Sequence, residues 1–260
     1  MTRALNNHRT LNLTILFNIL IFQQSTIMWL TSSSIGRKVV MSVSGAALVL
    51  FLTFHMLMNL VYVYDVMVGT TDGNHYYDAV CEFLGTNWYA LIATAGLAAL
   101  VVIHFVYAFW LTVQNRKARG AERYAISGKQ PIHWASKNML VLGIIIILGM
   151  LLHLKDFWYN MMFAELAGIE GIHEATAGYE WINTVFACPV TLVIYFVWFA
   201  ALWYHMTHGV WSAMQTLGWN GKIWDCRWNV ISYIWATVIV CGFALVAIAA
   251  VINNGGFVGC

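Results

Sequence analysis

The sequence predicts an all-α membrane protein, a bundle of five transmembrane helices. Of its 260 residues, 61% are hydrophobic and only 9% are charged, whereas soluble domains carry about 25% charged residues. The charges are clustered, so the runs between them are long enough for the roughly 20 helical residues that cross a bilayer. These runs are apolar throughout and lack a two-residue alternation, which favours helices over a barrel.

The predicted spans follow one another with polar connections between them. They cover Lys38–Tyr64, Trp88–Gln114, Asn138–Met161, Trp181–Gln215 and Trp228–Ile252. The fourth is long enough to tilt or protrude, and Pro189 lies in its early part, where a transmembrane helix tolerates a kink.

The first 27 residues differ from the rest of the chain. Two arginines precede a short apolar stretch, Leu11–Phe22, which resembles a weak signal-peptide core but has no small-residue cleavage site before Met28. We therefore expect residues 1–27 to be a dispensable extension and residues 28–260 to form the transmembrane domain. An interfacial helix is the alternative for the extension.

The loops between the spans differ in charge. One side of the membrane receives almost only acidic residues, Lys155 being the exception. The other side receives the basic residues Arg37, Lys38, Arg116, Lys117, Arg119, Arg123, Lys129, Lys137, Lys222 and Arg227. The positive-inside rule then places the N-terminus in the cytoplasm and the C-terminus outside. A net charge near zero suggests no nucleic-acid partner.

Four histidines lie inside four of the apolar spans, where an ionisable group is by default a functional-site hypothesis. Because successive spans alternate in direction, His55 and His153 are expected toward the outside, and His104 and His205 toward the cytoplasm. Two bis-histidine b haems fit this pattern, a distal one between the first and third helices and a proximal one between the second and fourth. The alternative is that each histidine makes a single interhelical hydrogen bond.

Other residues refine this hypothesis. His208 competes with His205 because the two project from the same side of the helix; we choose His205, which is followed one turn later by Gly209. The five cysteines form no CxxC or CxxCH motif, so haem would be held non-covalently and neither a disulfide framework nor an iron–sulfur site is expected. Electrons must therefore come from another protein.

Short motifs around the histidines occur in a specific order and spacing. They are SSSIGRKVVMSVSG at Ser32–Gly45, FHMLMN at Phe54–Asn59, VIHFVYAFWL at Val102–Leu111, LLHL at Leu151–Leu154 and YHMTHGVW at Tyr204–Trp211. With these motifs, residues from Met28 to Ile252 resemble the cytochrome b subunit of succinate dehydrogenase/fumarate reductase. The resemblance is to the single-chain form with five helices and two haems, particularly to Bacteroidetes-type sequences.

This resemblance implies a function and partners. It implies His55, His104, His153 and His205 as haem ligands, and a quinone site near the distal haem with menaquinone as the expected quinone. An iron–sulfur subunit, with a flavoprotein beyond it, would dock on the cytoplasmic face of the bacterial inner membrane. The dicarboxylate chemistry would belong to the flavoprotein, and this chain would be the electron-transfer and quinone-reactive subunit.

Three residues carry weaker implications of the resemblance. Ser42 falls where the family can place a residue near a haem propionate. Glu82 is the best match to an acidic residue used in quinone protonation, although a solvated loop carboxylate is the ordinary alternative. Trp203 occupies a position where some members carry a carboxylate for a transmembrane proton route, so such a route is not expected here.

Two other functions remain open from the sequence alone. One is a di-haem cytochrome b of another quinone-linked complex, of the formate dehydrogenase or hydrogenase type. The other is a haem-free membrane anchor or transporter whose histidines only join helices.

Overall fold

The computed structural model describes residues 18, 23, 28–30, 32–70, 73–85, 87–119 and 134–259, and the regular secondary structure of these residues is entirely helical. Five helices are long and apolar enough to cross a membrane, as the sequence predicted. They are α1 (Ser34–Val68), α3 (Trp88–Arg119), α4 (Trp134–Ala167), α6 (Pro189–Thr216) and α7 (Lys222–Asn253). Two short helices, α2 (Tyr76–Gly85) and α5 (Gly178–Phe186), lie between them. Most of the predicted N-terminal extension falls outside the described residues.

The outward faces of the long helices are apolar. Large side chains such as Leu50, Ile92, Val102, Val193 and Ile234 are exposed, and an apolar surface of this extent is typical of a membrane-facing protein. The small buried core lies between α1, α6 and α7, where Tyr62, Met56 and Ile239 are almost fully covered. α3 is the most peripheral of the five.

The long helices pack in a defined order. α1 packs against α3, α6 and α7, and α6 packs against α4 and α7. By contrast, the backbones of α1 and α4 do not pack closely, nor do those of α3 and α6. Those two pairs are therefore diagonal partners across the group formed by the first four spans, and only side chains reach across between them.

The predicted fourth span, Trp181–Gln215, is wrong in one respect. The structure divides it at Cys188, whose backbone is extended (φ −91°, ψ 122°), and Pro189 begins α6 rather than kinking a continuous helix. The reason is local: proline has no N–H and suits the first turn of a helix, while the residue before it disfavours helical geometry. The preceding residues form the separate helix α5.

The third span also departs from a regular α-helix. The α-helical part ends at His153, and Leu154–Phe163 continues as a π-helix before one further α turn closes α4. The side-chain amide of Asn160 donates hydrogen bonds to the carbonyls of Asp156 (2.8 Å) and Lys155 (3.3 Å). π-helical segments are rare and occur frequently at functional sites.

Polar contacts join the ends of the helices on the acidic side. The carboxylate of Asp65 is fully buried and accepts the backbone N–H groups of Tyr76 and Tyr77, which begin α2. Tyr62 donates to the Asn183 side chain at 2.5 Å, which links α1 to α5. Cys188 is disulfide-bonded, which corrects the expectation that the chain contains no disulfide.

Candidate functional site: two histidine pairs

The structure brings the four span histidines together as two pairs. The rings of His55 on α1 and His153 on α4 have centres 5.9 Å apart, with an angle of 82° between their planes. The rings of His104 on α3 and His205 on α6 have centres 6.3 Å apart, at 68°. Each pair therefore bridges two diagonal helices. We call His55–His153 the outer pair and His104–His205 the inner pair.

The ring separations suit one metal between two imidazoles. Metal–nitrogen bonds of about 2.0–2.1 Å on opposite sides of an ion would place the two ring centres about 6 Å apart. A bare metal ion needs three or four protein ligands, and no group of three or more His, Cys, Asp or Glu residues with that geometry occurs in the described residues. Two imidazoles alone match a metal whose other ligands come from a macrocycle, as in haem.

The separation in depth between the pairs follows from two helices independently. Along α1, Ser44 contacts His104 and His55 lies eleven residues later, a rise of about 16 Å at 1.5 Å per residue. Along α6, Tyr195 contacts His153 and His205 lies ten residues later, a rise of about 15 Å. The pairs are therefore separated by about half of the 30 Å hydrocarbon core.

One member of the inner pair is oriented by hydrogen bonding. The Ser44 hydroxyl donates to the Met41 carbonyl at 3.0 Å, so its oxygen is left to accept from Nδ1 of His104 at 3.1 Å. The proton is thus assigned to Nδ1, and Nε2 keeps the lone pair that a metal needs. An added Cβ at Gly45 would lie 3.1 Å from Cε1 of His104, so glycine gives this ring its place beside α1.

Aromatic side chains surround the outer pair. Phe51 stacks on His55 with ring centres 5.5 Å apart, and Phe243 lies 5.7 Å from the same ring. Around His153 the ring centres of Phe157, Trp198 and Tyr195 lie at 5.1, 5.7 and 6.4 Å. These rings form an apolar environment whose polar tip is the Tyr195 hydroxyl.

The alternative in which each histidine makes one interhelical hydrogen bond does not fit the contacts. Of the four span histidines, only His104 has a side-chain hydrogen bond to another described residue. Nδ1 of His153 and Nδ1 of His205 are both buried without a hydrogen-bond partner in that part of the chain. A buried polar atom left unpaired costs about 1–3 kcal/mol, so hydrogen bonds between helices do not account for these histidines.

The glycines near the pairs do not behave alike. An added Cβ at Gly149 would overlap the Trp198 ring at 2.2 Å, so this glycine permits ordinary close packing of α4 and α6. At Gly96 and Gly209 an added Cβ would meet no protein atom within 4 Å. Only these two positions leave room for a flat ring against the helix.

The remaining candidates from the sequence take different positions. His208 lies one turn from His205 with its ring against Trp211, 5.8 Å between centres, and it is His205 that faces His104. Ser42 is buried in α1, two residues before Ser44. Glu82 is exposed on the short helix α2, in a segment that the sequence indicated to be a loop.

Glu82 lines an open pocket of about 430 Å³ at the acidic end of the molecule, together with His75 and Asp78. Burial raises the pKa of Asp78, against the opposing effect of the Tyr179 N–H that it accepts at 2.8 Å. His75 stacks on Tyr179 with ring centres 3.6 Å apart, so its ring is packed against the protein. The pocket is thus a polar opening at the acidic end, in which Glu82 is the exposed carboxylate.

Sequence reasoning missed two residues next to the pairs, Ser44 and Asp156. Ser44 orients His104, and its only sequence signal was its place beside Gly45 in the first motif. Asp156 is a buried carboxylate in the third span, and it accepts a hydrogen bond from the Tyr195 hydroxyl at 3.1 Å. The sequence showed Asp156 near a span end, where a solvated charge is ordinary, and it could not show which way the side chain points.

Comparisons with known proteins give no matching family profile, no similar curated protein and no similar solved structure. The two histidine pairs and their surroundings are therefore the features from which a function can be inferred.

Proposed function

We propose that this chain is the membrane-anchor cytochrome b subunit of a succinate:quinone oxidoreductase, of the succinate dehydrogenase/fumarate reductase class. It would hold two b haems and pass electrons between an iron–sulfur subunit and a quinone. The observation that carries the proposal is the pair of ring separations, 5.9 and 6.3 Å, across two diagonal helix pairs. The motif resemblance then favours the succinate/fumarate class over other quinone-linked cytochromes.

The chain's own residues would bind and orient the two haems. His55 and His153 would hold the distal haem, and His104 and His205 the proximal one. Held by these histidines, each haem would supply one-electron transfer and not oxygen binding. The Ser44 oxygen would keep Nε2 of His104 directed at the metal, while the aromatic rings around the outer pair would exclude water.

The proposed orientation has its basic end in the cytoplasm. Arg37 and Lys38 begin α1, Lys137 lies near the start of α4 and Lys222 begins α7, so these cations share one end of the bundle. A disulfide at Cys188 at the opposite end is consistent with an oxidising outer compartment, since disulfides are rare where thiols are kept reduced. The basic end would receive the iron–sulfur subunit, with the flavoprotein beyond it.

Two measurements on purified membranes test the function. Reduced-minus-oxidised spectra should show b-type bands that titrate as two components, and affinity purification of this chain should bring down a flavoprotein and an iron–sulfur protein. An absence of b-type bands would exclude both cytochrome functions and return the chain to a haem-free anchor or transporter. Bands accompanied by a different partner, such as a formate dehydrogenase or hydrogenase, would exclude the succinate/fumarate assignment.

Thiol labelling tests the orientation. Cys226 is exposed at the basic end of α7, while burial raises the pKa of the Cys81 thiol at the acidic end to about 12 and so suppresses its reactive thiolate. A membrane-impermeant maleimide should label Cys226 only after the cells are permeabilised. The extra label gained on permeabilisation must be absent in Cys226→Ser. Labelling of Cys226 in intact cells would show that the orientation is the reverse of the proposed one.

Glu82 remains the candidate for proton exchange at the outer mouth. Glu82→Gln is expected to lower quinone-linked turnover while leaving both haem components and dye-linked activity unchanged. Unaltered quinone kinetics in this variant would make Glu82 an ordinary solvated carboxylate.

A further inference from the structure

α4 carries a buried carboxylate immediately beyond the outer pair. Asp156 follows His153 by three residues, and its side chain keeps only 10% of its accessible surface. An acidic side chain inside a membrane span is costly to hold, and such residues usually mark ion, proton or substrate pathways. The proposed haem ligation does not require a carboxylate at this position.

The two oxygens of Asp156 have different partners. Oδ2 accepts the Tyr195 hydroxyl at 3.1 Å, and this bond joins α4 to α6. Oδ1 lies 3.2 Å from the ammonium group of Lys155, whose side chain is 77% exposed. The Tyr195 ring in turn contacts His153, with ring centres 6.4 Å apart. Polar contacts thus lead from the surface of α4 through Asp156 to the Tyr195 hydroxyl, and the Tyr195 ring packs against the outer pair.

The local backbone supports this arrangement. Asp156 lies in the π-helical segment that begins directly after His153, and Asn160 binds the Asp156 carbonyl at 2.8 Å. The flanking side chains of Leu154, Trp158 and Tyr159 are exposed on the outer face of α4. The exposed Lys155 ammonium group beside Oδ1 marks the side from which a ligand would reach the carboxylate.

We propose that Asp156 and Tyr195 form the proton-exchanging end of the quinone site, an inference that rests on the function proposed above. The Tyr195 hydroxyl holds the carboxylate in place, and Asp156 accepts a hydrogen bond from the quinol hydroxyl. Oxidation of a quinol releases two electrons and two protons. The iron–sulfur partner is the oxidant and receives the electrons one at a time, and each proton passes to Asp156 and then to water outside. Quinone reduction runs the same transfers in reverse.

The test compares two carboxylates of α4 in the intact complex. Asp156→Asn keeps the size of the side chain but cannot accept a proton, and Glu165→Gln alters an exposed carboxylate at the end of the same span. A positioned proton acceptor contributes about 10²–10⁴-fold to rate. Quinone-linked turnover should fall by that factor in Asp156→Asn and stay unchanged in Glu165→Gln, while dye-linked activity and both haem components persist in both variants.

A readout independent of turnover is the infrared difference spectrum on addition of a water-soluble quinone analogue. A carboxyl band should appear in the wild type and in Glu165→Gln, be absent in Asp156→Asn and return in Asp156→Glu. Lys155→Met tests whether the effects come from loss of the Lys155–Asp156 salt bridge and not from loss of the carboxylate. This variant should leave the band and the turnover largely intact. An unchanged band and unchanged quinone kinetics in Asp156→Asn would overturn the proposal.

Tyr195→Phe keeps the proposal falsifiable if Asp156→Asn does not assemble. Loss of the hydroxyl should shift the carboxyl band and weaken binding of the analogue, and an unshifted band with wild-type binding would overturn the assignment. If the wild-type complex itself lacks b-type bands or quinone-linked turnover, the proposed function fails first. If the wild type shows both and the Asp156 variant matches it, only the present inference fails.

Discussion

The outer and inner histidine pairs have nearly the same ring separation but different surroundings. The outer pair lies among aromatic rings, next to the π-helical segment of α4 and the carboxylate of Asp156. The inner pair lies beside small residues of α1, and the Ser44 hydroxyl orients one of its rings. The inner surroundings suit a group that only conducts electrons. The outer surroundings add a group that can exchange protons, as quinone chemistry requires.

The largest expected effect is the loss of one haem component when either histidine of a pair is replaced. Replacing His55 or His153 by alanine should remove the distal component from the redox titration, and replacing His104 or His205 should remove the proximal one. The reason is that each haem would keep only one axial ligand. Loss of the same component within each pair is the decisive pattern, and His208→Ala is the control. The choice of ligand is wrong if His208→Ala loses the proximal component while His205→Ala retains it.

The next effect concerns the orientation of the inner pair. Ser44→Ala removes the oxygen that accepts from Nδ1 of His104, and loss of such a supporting partner typically costs about 10–100-fold in metal affinity. The amount of the proximal haem component that remains after dilution should therefore fall, and the amount of the distal component should not change. Ser232→Ala is the matched control, because the Ser232 hydroxyl is buried and donates to a carbonyl three residues earlier, as Ser44 does. Equal retention in the two variants would contradict the role of Ser44.

A smaller effect tests the aromatic environment of the outer pair. Gly149→Ala places a methyl group against the Trp198 ring, which packs on His153, and overpacking typically costs about 1–3 kcal/mol. The midpoint of thermal unfolding should drop and the distal component should broaden. At Gly143, on the same helix as Gly149, an added methyl group meets no protein atom within 4 Å, so Gly143→Ala should keep the wild-type midpoint. Equal midpoints in the two variants would show that Trp198 is not held as described.

The smallest expected effect follows from the depth difference. One charge crossing the whole membrane involves about 2.3 kcal/mol per 100 mV, and the pairs are separated by about half of the hydrocarbon core. With quinone reacting outside, menaquinol-driven fumarate reduction should generate a potential, and succinate oxidation by menaquinone should consume it. In sealed proteoliposomes an uncoupler should change the initial rate several-fold at most, with a matching dye signal. No response would indicate a compensating proton route or a quinone site on the inner side.

The sequence by itself determined the number of spans, the charge asymmetry of the loops and the four histidines within the spans. These features follow from the composition of short stretches of chain and from the fact that successive spans alternate in direction. Even so, Pro189 shows that an apolar run does not by itself give the boundaries of a helix. The run continues through it, whereas the missing N–H ends one helix and begins another.

Only the tertiary structure decided which side chains meet across the bundle. It brought His55 to His153 and His104 to His205 on diagonal helices, and it selected Ser44 as the partner of His104. Asp156 and Tyr195 are 39 residues apart in the chain, and their hydrogen bond depends on the π-helical turn and on how α4 packs against α6. The direction of a single side chain near a helix end is set by such packing, because composition and periodicity are the same whether a carboxylate faces water or the interior.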